Sequence, residues 1–219
     1  MVKSYGHGYK PRVFITGISG FVGSALATNL INDYEVGGML RWSPRVAVNA
    51  EPLRGKTKLY TGDLRDFAFT SWVMQEFQPD YVLHLAAISP VSYSFEHPQE
   101  VTDINLMGTI NLVEACKRFV PNLKRFIFAS TMEVYGRQDP QKGAFTERTV
   151  VHPHSPYAVA KYAAERYLCY LFHAYKYPVV MVRGANCYGR KNDKYFVIET
   201  IINQMLDNPN EVHLGNPDP

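Results

Sequence analysis

The sequence predicts an α/β protein built on a doubly wound parallel sheet. Short β-branched and aromatic runs alternate with helix-length stretches along the chain, the pattern that lays strands side by side with helices on both faces. Several of the runs are near-continuously apolar, as strands covered on both faces must be. The first run passes at once into glycines and then into an apolar-periodic stretch, which reads as a strand, a tight turn and a helix.

Taken in order, strands are expected over 12–16 (RVFIT), 34–40 (YEVGGML), 57–61 (TKLYT), 80–87 (DYVLHLAA), 124–130 (KRFIFAS) and 178–183 (PVVMVR). Helices are expected from Phe21 to Ile31 and over 66–77, 98–119, 156–175 and 196–206. Two connections, 41–56 and 136–155, are long enough to suggest function. The final LGNPDP is a loop sequence that reads as a chain cut in the middle of a connection.

With 46% hydrophobic and 20% charged residues, 219 residues can bury one sizeable core. A net charge of +3, from 23 basic and 20 acidic residues, is too mild and dispersed for a nucleic-acid-binding surface. Cys116, Cys169 and Cys187 follow no CxxC pattern and read as reduced thiols, so neither a disulfide framework nor a metal site is expected. No run approaches the length of a membrane span and no apolar leader precedes the first strand, so a cytoplasmic protein away from membranes is expected.

Thr16-Gly17-Ile18-Ser19-Gly20-Phe21-Val22-Gly23 places glycines three and three apart at a strand-to-helix turn. Gly17 permits the turn, Gly20 lets backbone N–H groups approach a pyrophosphate at the positive end of the helix, and Gly23 lets helix and strand pack closely. The second strand ends in Met39-Leu40-Arg41, with no carboxylate to receive a ribose hydroxyl. A guanidinium there can pair with a 2′-phosphate, which favours NADP over NAD, although Arg41 also reads as a solvated loop arginine. Asp63, after the third strand, is either an acceptor for an adenine amino group or a plain turn aspartate.

Tyr157 and Lys161 stand four residues apart, hence one turn apart on one helical face, where an ammonium can favour the phenolate. Pro156 and Ser155 are placed to start and cap that helix. Ser130-Thr131-Met132-Glu133 follows the fifth strand, so a hydroxyl and a carboxylate should reach the same edge of the sheet. His152-Pro153-His154 reads as a surface loop, and the tyrosines along 157–177 read as helix packing.

Together the segments TGISGFVGS (16–24), GDL (62–64), LHLAA (83–87), INLMGTINLVEA (104–115), FASTMEVYG (128–136), SPYAVAK (155–161) and RGANCYGR (183–190) resemble the extended short-chain dehydrogenase/reductases. Within that group the chain is similar to nucleotide-sugar epimerases and dehydratases, above all to the GDP-mannose 4,6-dehydratase type, through the stretch from Ala86 to Pro98. The resemblance implies an NAD(P)-binding Rossmann fold over 1–190 with the catalytic residues, and over 191–219 the start of a substrate-binding lobe that is mostly missing. It implies cofactor contacts from Gly17, Ser19, Gly20, Phe21, Val22, Gly23, Arg41, Asp63, Leu64, Leu85, Ala86 and Ala87, with Tyr157 and Lys161. Substrate contacts are implied for Ser89, Ser94, Asn186 and Arg190.

The implied reaction oxidises sugar C4 with Tyr157 as base, Lys161 lowering its pKa and Thr131 holding O4, while Glu133 moves the C5 proton as water leaves C6. Met132 stands where some sugar dehydratases carry a separate acid, so Glu133 would serve as both base and acid. The same segment fits an epimerase, a UDP-glucuronate decarboxylase or a keto-sugar reductase. A cofactor-binding fragment without turnover is the reading from another class. A homodimer or higher homo-oligomer is implied as well.

Overall fold

The computed structural model describes residues 10–41, 49–137, 143–189 and 196–214. Six strands, β1 (Arg12–Thr16), β2 (Glu35–Leu40), β3 (Lys58–Thr61), β4 (Tyr81–His84), β5 (Arg125–Thr131) and β6 (Val179–Gly184), form one sheet in the order β3-β2-β1-β4-β5-β6. Every pairing is parallel. The order reverses between β1 and β4, so the crevice beyond their carboxyl ends is where such a sheet binds ligands.

The helices are α1 (Phe21–Leu30), α2 (Phe67–Phe77), α3 (Val91–Glu96), α4 (Pro98–Thr102), α5 (Gly108–Phe119), α6 (Pro156–Tyr175) and α7 (Val197–Asp207). One apolar core joins Phe14, Val82, Phe126 and Phe128 of the sheet to Met74, Leu112, Cys116 and Leu168 of α2, α5 and α6. A second joins Val13, Ile15, Val36 and Leu40 to Ile18, Ala27 and Leu53 on the α1 side.

Three expectations are corrected. The predicted strand 80–87 ends at His84, because the following backbone leaves the sheet to line the crevice. The predicted helix 98–119 is broken by a π turn at Asp103–Met107, and the short helix α3 precedes it unforeseen. Strand β6 is not covered on both faces: Val180 and Val182 are 40% and 50% exposed, while Val179 and Met181 pack on the core. No helix among the described residues is long and apolar enough to cross a membrane.

Candidate active site

The β1–α1 turn is built by its glycines. Gly17 has φ +70°, a conformation that suits a residue without Cβ, and its N–H donates to Met39 O at 3.0 Å. A Cβ on Gly23 would lie 2.2 Å from Gly17 O, so α1 can pack this closely on the turn only with glycine there. Gly20 precedes α1 with no side-chain cap, leaving the approach to the positive end of the helix to backbone alone.

The crevice above this turn encloses about 220 Å³ and is lined by Gly17, Ser19 and Gly20, by Met39 to Arg41, by Gly62 to Leu64, and by Ala86 to Ile88. The glycine turn, the helix end and an apolar floor suit an elongated nucleotide with a charged centre, so these residues fit a dinucleotide. Ala87 lines this crevice, and Leu64 is buried at its edge. Leu85, by contrast, packs against the second core, with its backbone beside Gly17. Phe21 and Val22 line a separate depression with Asn186, Cys187 and Tyr188.

Arg41 is exposed at the mouth of the crevice, and its charge helps hold the Asp63 carboxyl below the usual range. The larger cause is Arg65, which donates from Nε to Oδ1 at 3.0 Å and from Nη2 to Oδ2 at 2.7 Å. Asp63 also accepts from Arg65 N at 2.9 Å, so here it acts as a turn aspartate.

At the end of β5, Thr131 caps a 3₁₀ turn over Met132–Tyr135 by accepting from Glu133 N at 3.2 Å. Helix α6 starts at Pro156, with Ser155 Oγ accepting from Ala158 N at 3.1 Å, as the sequence predicts. That start carries Tyr157 against Thr131, whose hydroxyl accepts from Glu133 N–H and keeps its own proton to donate to the Tyr157 oxygen. Burial raises the Tyr157 pKa above the usual value; the Thr131 hydrogen bond opposes the rise and the Glu133 charge adds to it.

Lys161 is 2% exposed, donates to Ala129 O at 2.6 Å and lies 4.5 Å over the Phe128 ring. Burial pulls its pKa down to about 7, and Glu165 pushes the other way. The direction expected for Tyr157, a pKa lowered by Lys161, is therefore not what the protein alone provides. Desolvation of the phenol is the largest influence, and the ammonium is turned to the Ala129 carbonyl.

Glu133 is partly exposed, with His154 Nε2 at 3.8 Å from its Oε2. The sequence reading left His154 in a surface loop; the structure sets it against the carboxylate. Ser89 is exposed beside the crevice, whereas Ser94 is fully buried and donates back to Val91 O at 2.6 Å, a bond internal to its helix. Arg190 lies outside the described residues.

Sequence reasoning missed a buried polar relay behind the crevice. His84, at the end of β4, meets Thr16 Oγ1 through Nδ1 at 2.7 Å and Thr109 Oγ1 through Nε2 at 2.9 Å. Thr109 gives its only proton to Asn105 O at 2.7 Å, so His84 Nε2 must carry hydrogen and Nδ1 must accept from Thr16. Thr16 in turn accepts from Ala86 N at 3.2 Å. Burial lowers the His84 pKa to about 3 and keeps the ring neutral. Asn105, in the INLMGT segment and seated in the π turn, closes the relay onto Ile88 of the crevice.

A six-stranded parallel sheet with a glycine turn at β1, and with Thr131, Tyr157 and Lys161 at the end of β5, defines an extended short-chain dehydrogenase/reductase. The sequence profile of the family described as GDP-mannose 4,6 dehydratase matches residues 14–219, and the chain belongs to that family. A dTDP-D-glucose 4,6-dehydratase of Dictyostelium discoideum is 31% identical over 212 residues, covering 90% of this chain and 48% of that protein. A GDP-mannose 4,6-dehydratase of Vibrio cholerae is 37% identical over 164 residues, covering 69% of this chain and 43% of that one. Among solved structures, the UDP-glucose 4-epimerase of Thermotoga maritima with UDP-glucose superposes with a TM-score of 0.80 at 30% identity, covering 90% of this chain and 63% of that one. The UDP-glucuronic acid 4-epimerase of Bacillus cereus, in complex with UDP-glucuronic acid and NAD, does so with a TM-score of 0.78 at 31% identity, with the same coverage. The chain spans about half the length of the curated relatives it matches.

Proposed function

We propose that the chain carries the cofactor-binding and catalytic part of a nucleotide-sugar 4,6-dehydratase that uses NADP. The observation that carries this reading is Glu133, a carboxylate placed by the same Thr131 cap that addresses the Tyr157 phenol. A hydroxyl and a phenol serve any C4 oxidation, and the adjacent carboxylate adds the means to move a second proton. NADP is favoured by Arg41 at the crevice mouth and by the pairing of Asp63, the carboxylate lining the crevice among the described residues, with Arg65.

In this reading Tyr157, acting as the phenolate that a neighbouring Lys161 ammonium favours, takes the proton of the C4 hydroxyl while Thr131 holds O4 in register. The bound nicotinamide supplies the hydride acceptor for C4 and the donor for C6, so net redox is zero. With C4 a ketone, the C5 proton is acidic; Glu133 removes it, protonates the departing C6 hydroxyl as water, and later returns a proton to C5. His154, beside Glu133 and partly exposed, offers that carboxylate a proton path to solvent.

A second reading is supported by the solved relatives: a 4-epimerase needs Thr131, Tyr157 and Lys161 but no proton transfer at C5. A UDP-glucuronate decarboxylase also accommodates Glu133.

The test is incubation of the chain, and of a form extended to the length of its relatives, with NADP and each of GDP-mannose, dTDP-glucose, UDP-glucose and CDP-glucose. A 4-keto-6-deoxy product from one of them is expected. Its absence from all four, with both forms binding cofactor, rejects dehydration.

A further inference from the structure

A buried carboxylate on α6 is left over by this chemistry. Glu165 follows Lys161 by four residues on α6, so the two lie one turn apart on the same face, and Glu165 is 2% exposed. It is held from two strands. Arg183 of β6 donates from Nε to Oε1 at 2.9 Å and from Nη2 to Oε2 at 2.5 Å. Ser130 of β5, the neighbour of Thr131, donates to Oε1 at 2.5 Å. The Arg183 guanidinium in turn lies 4.9 Å from the ring of Tyr135, at the end of the turn that carries Glu133.

Stability gives no reason for this arrangement, because a buried ion pair is often matched or bettered by apolar packing of the same volume. Its place gives one. Lys161 sits in a site where burial works against its charge, over an aromatic ring and on a single carbonyl. The groups around it do little to restore that charge. His84 of β4 is neutral, and Tyr157 is a phenol held by Thr131. Glu133 is partly exposed toward His154. Of the acids on the α3–α4 segment packed against α6, Glu100 accepts from Tyr93 at 2.7 Å, and Glu96 and Asp103 are exposed. Arg183 meets the site through Glu165 and through the Tyr135 ring.

We infer that Glu165, fixed by Arg183 and Ser130, is a positioning residue for the catalytic pair, whose carboxylate favours the ammonium form of Lys161 within its buried site. This rests on the reading of Lys161 as the cation beside Tyr157. Its consequence is that the chemistry at Tyr157 depends on β6 through one carboxylate. The sign is fixed: Lys161 falls to about 7 with Glu165 present as the influence that raises it. Without that charge the amine loses its proton at lower pH and is largely neutral at physiological pH.

The test reads the Lys161 titration directly, without turnover, so its failure is separable from failure of the dehydratase reading. Lysines labelled with ¹³C at Cε are followed by NMR from pH 5 to 10, with the Lys161 signal assigned by its loss in Lys161→Arg. Glu165→Gln is expected to lower the Lys161 midpoint by about one unit or more, a tenfold change in proton affinity. Arg183→Gln, which leaves the carboxylate uncompensated, is expected to raise it. Midpoints that stay within a few tenths of a unit in Glu165→Gln, or that move the same way in both variants, overturn the inference. Should Glu165→Gln not fold, Arg183→Gln decides alone, since a midpoint that stays or falls there also overturns it.

Discussion

The side-chain amide of Asn105 is bonded at both ends to the backbone of one residue: Oδ1 accepts from Ile88 N at 2.9 Å and Nδ2 donates to Ile88 O at 2.9 Å. Ile88 lines the crevice, and the π turn around Asn105 is what turns that amide toward it. Asn105→Leu leaves two partly buried backbone groups unpaired, at a cost of about 2–4 kcal/mol. Thermal unfolding should fall by several degrees, and NADP affinity, by fluorescence titration, should fall with it. A variant as stable as the parent and equal in cofactor affinity would contradict the assignment.

His84 ties stability to pH. Its folded pKa, about 3, lies below its ordinary value of 6.5, so the unfolded chain binds the proton more readily. The stability contributed by the neutral ring is complete above about 6.5 and is lost as pH falls toward 3. Lys161, whose folded pKa is about 7, gives a small slope of the same sign near pH 7 and none well below it. Urea unfolding at pH 7 and pH 5 should show a loss in the parent that His84→Asn largely lacks; equal losses would refute the neutral relay.

Two glycines provide a paired test of the turn. A Cβ on Gly23 meets Gly17 O at 2.2 Å, a backbone atom that cannot yield cheaply, whereas one on Gly184 meets nothing within 4 Å. Gly23→Ala should therefore destabilise by about 1–3 kcal/mol and abolish measurable cofactor binding, while Gly184→Ala should be nearly silent in stability.

Arg41→Ala should weaken NADP by about tenfold or more, the scale of a lost charge-assisted contact, and change NAD little. Equal effects on the two cofactors in parallel titrations would remove the basis for preferring NADP.

The elements that announce themselves locally were the legible ones. RVFIT followed by Gly17 fixes a strand and a turn by composition alone, and Ser155-Pro156 marks a helix start that the structure reproduces atom for atom. Thr131, Glu133, Tyr157 and Lys161 were readable because turn and helix periodicity place them at one sheet edge. The π turn was not, because nothing breaks the helical pattern of 98–119, and the bonds of Asn105 to Ile88 exist only across the assembled fold. Glu165 stood at the readable i, i+4 position after Lys161, but its partners on β5 and β6 appear only once the sheet is assembled. His154 was legible as a loop residue and illegible as the neighbour of Glu133 for the same reason.

The central claim is that Glu133 turns a C4 oxidation into a 4,6-dehydration. It is tested most directly by supplying a form of the protein at its relatives' length with GDP-mannose carrying deuterium at C4, and locating the label in the product by NMR. A 4-keto-6-deoxy sugar with deuterium at C6, and loss of that product in Glu133→Gln with cofactor binding kept, is the predicted result. Deuterium remaining at C4 of an epimerised sugar would contradict it.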